Sequence, residues 1–160
     1  MALRSLLINI VMENKNMQPG VTSEFSNRIS YELKRAERYR IFVSLLIFNF
    51  DTVMEKLAEE RLPKREDREE FLRAVKGFIR DSVREVDAVS NSHHEFVGIL
   101  CPETSRQGAE MAAKRIQESL NNFLSDYFGN RSDLLIPVEI SSYPDAAGAR
   151  SLASYSEEFA

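Results

Sequence analysis

The sequence predicts an α+β fold, in which helices pack on an antiparallel β-sheet. Residues 42–50, FVSLLIFNF, form a nearly continuous apolar run that is typical of a buried central strand. Two shorter apolar runs, at 86–90 and 96–100, flank a polar turn and predict a β-hairpin. Helical periodicity around these strands gives the order helix, strand, two helices, hairpin, helix, strand. Without the leading helix, this is the β-α-β-β-α-β order of a ferredoxin-like fold.

The first 21 residues are predicted to be a lead-in segment, and the domain is predicted to span 22–160. The lead-in holds a short apolar run at 6–12, which favours contact with its own domain, a second copy or a partner. The first helix of the domain is predicted from Thr22. Its apolar residues recur at spacings of three and four, as on the buried face of an amphipathic helix: Phe25, Ile29, Leu33 and Ala36.

Capping residues and proline set the predicted helix boundaries in the middle of the chain. Asp51 or Thr52 can cap a short helix after the first strand, and Pro63 ends it. The next helix keeps an apolar period over 71–86, where it merges into the hairpin. The basic side chains of that helix are expected to form a solvated face.

The last helix and strand follow the hairpin. Thr104, with Gln107 three residues later, forms a capping box and predicts a helix start at Thr104. Residues 134–141, LLIPVEIS, predict a strand that Pro137 confines to a sheet edge or a strand start. A turn at 143–148 and a short tail complete the chain.

Charge and glycine content exclude several classes of function. Lys and Arg number 21 against 25 Asp and Glu, and this net charge of −4 argues against a nucleic-acid groove or a basic membrane patch. The six glycines include no adjacent pair and no GxG, so no glycine-rich loop can wrap a phosphate. The apolar run near the N-terminus is too short to span a bilayer, so no membrane insertion is expected.

The single cysteine, Cys101, allows no intrachain disulfide and is expected to be a small apolar residue at a strand end. Nothing in the cysteine usage indicates secretion. A cytoplasmic domain is therefore the expectation.

Four segments resemble, in order, pieces of GGDEF domains, the diguanylate cyclases. They are ISYELKRAERYRIFVSLLIFNFD at 29–51, FLRAVKGFIRDSVREVD at 71–87, HEFVGILCPETS at 94–105 and IPVEISSYPDAAG at 136–148. The resemblance covers about 25–148 and implies the nucleotidyl cyclase palm form of the ferredoxin-like sheet in a bacterial signalling protein. An active member of this family makes cyclic di-GMP from two GTP molecules. Its adjacent glycines admit the nucleotide, and its acidic residues hold magnesium against the phosphates.

The signature hairpin departs from the family pattern. Aligned on Glu95 and Phe96, Ser92 and His93 stand where the two glycines belong, and His94 replaces the metal-binding acid. A metal site at His93, His94 and Glu95 is the alternative, but neighbouring strand residues point to opposite faces and favour a polar turn. The resemblance therefore implies an inactive domain with no cofactor and no metal.

Other catalytic positions are also altered. Asn49 stands at the position of the family's first metal-binding Asp, so Asn49 and Asp51 are interpreted as a relic of the metal site. A helix-capping role explains Asp51 equally well. The guanine-contacting segment is not recognisable over 54–67, and the tail lacks the final helix with its phosphate-binding Lys and Arg, so the domain is expected to be shortened at its C-terminus.

One family motif survives. Arg84, Glu85, Val86 and Asp87 match the RxxD of the product-binding inhibitory site. The resemblance implies that Arg84 and Asp87 bind cyclic di-GMP, and bidentate arginine geometry suits that role. The alternative is a local ion pair at a solvated helix end. We expect a regulatory domain that senses cyclic di-GMP, or alternatively an interaction or dimerisation module that docks a second copy or a signalling partner without nucleotide.

Overall fold

The computed structural model describes residues 24–59, 65–90, 95–128 and 136–144. The lead-in, the residues Ser92, His93 and His94, and the tail after 144 lie outside these ranges. The elements in chain order are α1 (Glu24–Tyr39), β1 (Val43–Asn49), α2 (Asp51–Glu59), α3 (Arg65–Ser82), β2 (Ala88–Val89), β3 (Phe96–Pro102), α4 (Arg106–Phe128) and β4 (Val138–Tyr143). In the part of the chain described, no helix combines the length and apolarity needed to cross a membrane.

The four strands form one antiparallel sheet in the order β2-β3-β1-β4. β1 lies at the centre and pairs with β3 from Val43↔Pro102 to Asn49↔Phe96, and with β4 on its other side. This strand order and the helical crossovers make a ferredoxin-like α+β fold. The predicted fold class is therefore confirmed.

Both faces of the sheet are covered, which explains the continuous apolar sequence of β1. Alternate residues of β1 point to opposite faces. Leu46 and Phe48 join the larger buried cluster, with α2, α3 and α4. Leu45 and Ile47 join a smaller cluster on the other face, with α1.

Helix α1 packs closely on β3 because position 98 has no side chain. A β-carbon on Gly98 would lie 2.8 Å from Cε1 of Phe25, so only glycine lets this ring rest on the strand. The helix ends at Arg40, whose φ is 54°, and the N–H of Ile41 donates to the carbonyl of Ala36 at 3.1 Å. This is the Schellman arrangement of a helix C-terminus, here with arginine where glycine is usual.

The boundary between α3 and β2 differs from the prediction. Helix α3 ends at Ser82, residues 83–87 form a bend, and only Ala88–Val89 pair as a strand. The helical period that the sequence shows up to Val86 is therefore not followed, and Val86 is 58% exposed. The bend is closed by the N–H of Asp87, which donates to the carbonyl of Arg84 at 3.0 Å.

Two predicted helix caps were wrong by one to three residues. Helix α4 is capped by Ser105 rather than Thr104, because Ser105 Oγ accepts the N–H of Gly108 at 3.2 Å. Helix α2 is capped by Asn49 rather than Asp51 or Thr52, because Asn49 Oδ1 accepts the N–H of Asp51 at 2.8 Å.

Candidate functional site

Arg84 and Asp87 lie together in the bend after α3. The Arg84 guanidinium donates to both carboxylate oxygens of Asp87, from Nη2 to Oδ1 at 2.9 Å and from Nε to Oδ2 at 3.3 Å. The Arg84 N–H also donates to Asp87 Oδ2, at 3.0 Å. This is the forked geometry with which arginine holds planar anions. The hydrogen bond to Asp87 raises the pKa of Arg84 above its ordinary value.

The two members of this pair differ in exposure. The side chain of Asp87 is 6% exposed, whereas that of Arg84 is 54% exposed. Asp87 is thus the fixed partner, and Arg84 presents a guanidinium face to solvent. The local ion pair that was the alternative interpretation is present, although in a bend and not at a helix end. Ligand binding by the two residues stays a prediction.

Residues 102–104, the β3–α4 turn, hold Arg84 from its other side. Arg84 Nη2 donates to Thr104 Oγ1 at 2.7 Å and to the carbonyl of Pro102 at 3.3 Å. The turn is itself fastened to β1, because Ser44 Oγ donates to the carbonyl of Thr104 at 2.7 Å and lies 2.8 Å from Ser142 Oγ on β4. Sequence reasoning assigned Thr104 to a helix cap and missed this contact, because only the pairing of the strands brings 84 and 104 together.

Two open grooves meet at Arg84. The α1 groove has a volume of about 330 Å³ and is lined by Arg28, Tyr31, Glu32, Arg35, Arg84, Val86, Pro102 and Glu103. The α4 groove has a volume of about 570 Å³ and is lined by Arg84, Asp87, Cys101, Glu103, Thr104, Ser105, Gly108, Met111, Ala112 and Arg115. Arginine is thus the cation of both grooves, beside the exposed apolar side chains of Tyr31, Val86 and Met111. Such a surface suits an anion that carries flat apolar groups.

An ion-pair network runs along the wall of the α1 groove. Glu32 is buried, and its carboxylate contacts Arg28 and Arg35 at 3.0 Å each. Arg35 also pairs with Glu103 of the β3–α4 turn. Hydrogen bonds to Glu103 and Glu32 raise the pKa of Arg35. The predicted site did not include Arg28, Arg35, Glu103 or Arg115, because single arginines and glutamates on separate elements carry no local motif.

Asn49 and Asp51, which were predicted to be a relic of a metal site, lie at the end of β1 and β3 opposite to Arg84. A side-chain hydrogen bond with Asp51 raises the pKa of Glu95 to about 7, and partial burial and repulsion from Asp51 and Glu55 act in the same direction, while Arg68 opposes them. Asn49 uses its side-chain oxygen to cap α2. Among the residues that the structure describes, no three His, Cys, Asp or Glu side chains come together as a metal site.

Of the remaining predicted positions, Phe96 and Cys101 are buried, and the others lie outside the described residues. Phe96 is buried in the smaller cluster. Cys101 is buried in the larger one, as predicted, and burial raises the pKa of its thiol to about 12. Ser92, His93 and His94 fall outside the described residues, so their predicted turn stays a prediction.

No protein-family model and no curated protein matches the chain, whereas solved structures do. It is similar to the active GGEEF domain of a diguanylate cyclase from Vibrio cholerae, with a TM-score of 0.61, 15% identity and coverage of 78% of this chain and 75% of that one. It is similar to the GGDEF domain of YfiN (TpbB) from Pseudomonas aeruginosa, with a TM-score of 0.58, 22% identity and coverage of 82% and 74%. The structure of diguanylate cyclase SiaD with its activator SiaC, also from Pseudomonas aeruginosa, matches with a TM-score of 0.58 and 16% identity over 98% of this chain and 66% of that one. The chain therefore has the GGDEF fold, and the predicted resemblance is confirmed at the level of the fold.

Proposed function

We propose that this chain is a catalytically inactive GGDEF-like regulatory domain that binds cyclic di-GMP at Arg84 and in the grooves beside it. The observation that carries the proposal is the position of Arg84, which is held in forked geometry by Asp87 and forms part of both grooves. The motif predicted from sequence thus lies on an accessible surface next to other arginines.

The chemistry of cyclic di-GMP matches this surface. The ligand carries two phosphates and two guanine bases. Arginine binds phosphate oxygens bidentately, and it binds the O6 and N7 atoms of guanine in the same way. Tyr31 adds an exposed ring on which a base can stack. A guanidinium whose direction is already set by Asp87 and Thr104 loses little freedom when it binds.

Catalytic inactivity is supported by what replaces the family's catalytic groups. A neutral Asn49 stands where a metal-binding carboxylate is expected, and its oxygen serves as a helix cap. Ser92 and His93 occupy the positions of the two glycines, and any side chain there obstructs the approach of a nucleotide to the backbone. We expect no cyclic di-GMP from GTP and Mg²⁺ in a product assay.

Calorimetric titration of the purified protein with cyclic di-GMP tests ligand binding. We expect saturable heat for the natural protein and a loss of about ten- to a hundred-fold in affinity for Arg84→Ala, because hydrogen bonds to a charged group contribute about 1.5–3 kcal/mol. Arg73→Ala is the matched control, since Arg73 is exposed on α3 and lines neither groove. Absence of heat with cyclic di-GMP at tens of micromolar would remove the ligand from the proposal.

Docking of a partner or of a second copy without nucleotide is the second candidate. It is favoured by Tyr39 and Phe42, two large side chains that lie more than half exposed on either side of the α1–β1 connection. A molecular mass in solution that rises with protein concentration, is unchanged by cyclic di-GMP and falls in Phe42→Ser would favour this function over the first.

A further inference from the structure

The β3–α4 turn carries a carboxylate into the α1 groove. Glu103 has a φ of 52°, in the left-handed region that residues other than glycine rarely occupy. Its side chain forms an ion pair with Arg35 of α1, and both residues line the α1 groove. A strained backbone position thus directs a negative charge onto one of the arginines that an anionic ligand would use.

The two carboxylates that share Arg35 are not equivalent. Glu32 is 4% exposed and also pairs with Arg28, so it is a fixed part of the α1 surface. Glu103 is 61% exposed at the rim, and exposed ion pairs of this kind are weak. Of the two carboxylates, Glu103 is therefore the one that an entering anion can displace from Arg35 at the lower cost.

Glu103 lowers the net positive charge of the α1 groove. The charged lining residues are three arginines and two glutamates, which leave a net charge of one positive unit. Removal of the Glu103 charge alone makes this two units. Since attraction of an anion follows the local charge, the carboxylate of Glu103 weakens the attraction that the groove exerts on a phosphate.

We propose that Glu103 sets the affinity of the site, as an internal carboxylate that occupies Arg35 in the free domain and is displaced by a phosphate of cyclic di-GMP. This inference rests on the proposed function. The turn that carries Glu103 also holds Arg84 through Thr104, so the competitor and the principal ligand-binding residue lie on one connected segment.

Calorimetric titration of Glu103→Gln with cyclic di-GMP tests the inference. We expect about three- to ten-fold tighter binding than in the natural protein, because the variant keeps the shape of the side chain and removes its charge. Glu110→Gln is the matched control: Glu110 pairs with Arg106 on α4 at 3.1 Å, is 54% exposed and lines neither groove. Its affinity should change less than two-fold.

Two further variants keep the test independent of folding and of indirect effects. Glu103→Gly suits the left-handed backbone, removes the carboxylate and should tighten binding to the same extent. In an Arg35→Gln background, Glu103→Gln should lose most of its effect, because the ion pair that competes with the ligand is absent and only the general effect of the charge on the groove remains.

The outcomes separate this inference from the proposed function. Tighter binding by both Glu103 variants than by the natural protein supports the inference. Binding by the natural protein that Glu103→Gln leaves unchanged or weakens overturns the inference and leaves the proposed function standing. Absence of binding in the natural protein overturns both.

Discussion

The pKa of Glu95 lies well above the ordinary value of a glutamate, at about 7. Glu95 lies one residue before β3, close to Asp51 in the first turn of α2, because Asn49 pairs with Phe96 across the two strands. Two carboxyl groups in contact cannot both ionise freely, and one proton between them removes the repulsion. The raised pKa of Glu95 is therefore mainly the result of its hydrogen bond with Asp51, together with partial burial and repulsion between the two carboxyl groups.

The pair predicts a specific dependence of stability on pH. The pKa of Glu95 is about 7 in the folded protein against an ordinary 4.5, so the folded state binds the extra proton between these values. Stability from this group is complete at low pH and is lost as pH rises through about 7. Urea unfolding at pH 5.5 and pH 8 should therefore show a loss for the natural protein of up to about 1 kcal/mol, a limit set by solvent screening.

Glu95→Gln should remove this loss, because a carboxamide can donate to Asp51 at every pH. Glu118→Gln, an exposed change on α4, should leave the pH dependence as in the natural protein. Equal slopes in the natural protein and in Glu95→Gln would contradict the assignment of the proton to this pair.

The contact between Arg84 and Asp87 was predictable because one short segment holds both residues. Arg84 and Asp87 are three positions apart, and their pairing follows from that spacing. Arg35 and Glu103 meet only because α1 packs on the sheet and the β3–α4 turn lies beside it. No local pattern contains that information, which explains why the grooves around Arg84 were not predicted.

At the scale of elements, the helices were predicted well in position and less well at their ends. Apolar periodicity reports which face of a helix is buried, and the predicted period of α1, from Phe25 to Ala36, is that of its observed buried face. Helix ends depend on single hydrogen bonds, and neighbouring residues such as Thr104 and Ser105 can compete to accept them. The bend at 83–87 shows the same limit of prediction. Arg84 is held there by hydrogen bonds to Pro102 and Thr104, although the apolar period alone would continue the helix.

At the C-terminus of α1, Arg40 adopts a backbone conformation that is unfavourable for residues other than glycine. Arg40 has a φ of 54° in the Schellman arrangement, where glycine is the favoured residue. We expect Arg40→Gly to raise the free energy of unfolding by about 0.5–1 kcal/mol, measured by urea or thermal unfolding. Arg38→Gly, inside the last helical turn, should instead lower it by up to about 1 kcal/mol. A loss of stability in Arg40→Gly would show that the arginine side chain outweighs its backbone strain.

At the scale of the whole molecule, the sheet separates a larger buried cluster from a smaller one that α1 closes. The strand order was predictable, because a ferredoxin-like β-α-β-β-α-β chain places the first and third strands at the centre. The close packing of α1 on the sheet was not predictable, because it depends on the contact of Phe25 with Gly98. A single glycine in a strand does not tell from sequence which ring will cover it.

Gly98→Ala tests how strongly α1 is coupled to the rest of the fold. Its β-carbon would lie 2.8 Å from the Phe25 ring, so the ring must move and the free energy of unfolding should fall by about 1–3 kcal/mol. Hydrogen exchange should quicken in α1 amides more than in those of α4. Gly77→Ala on α3 is the control, because a β-carbon there has no neighbour within 4 Å and should be neutral or stabilising. Uniform quickening in all elements would mean that α1 and the larger cluster open as one unit.

Arg84 contributes to the walls of both grooves, and this affects how many ligand molecules can bind and whether they bind independently. Two molecules that each draw on one guanidinium cannot bind independently, since each changes the donors left to the other. Their affinities are linked, and the factor by which the first alters the second equals the factor by which the second alters the first. A molecule that fills both grooves at once gives a single stoichiometric event instead. Cooperativity in this domain would thus arise within one chain, from the two side chains that both grooves share, Arg84 and Glu103.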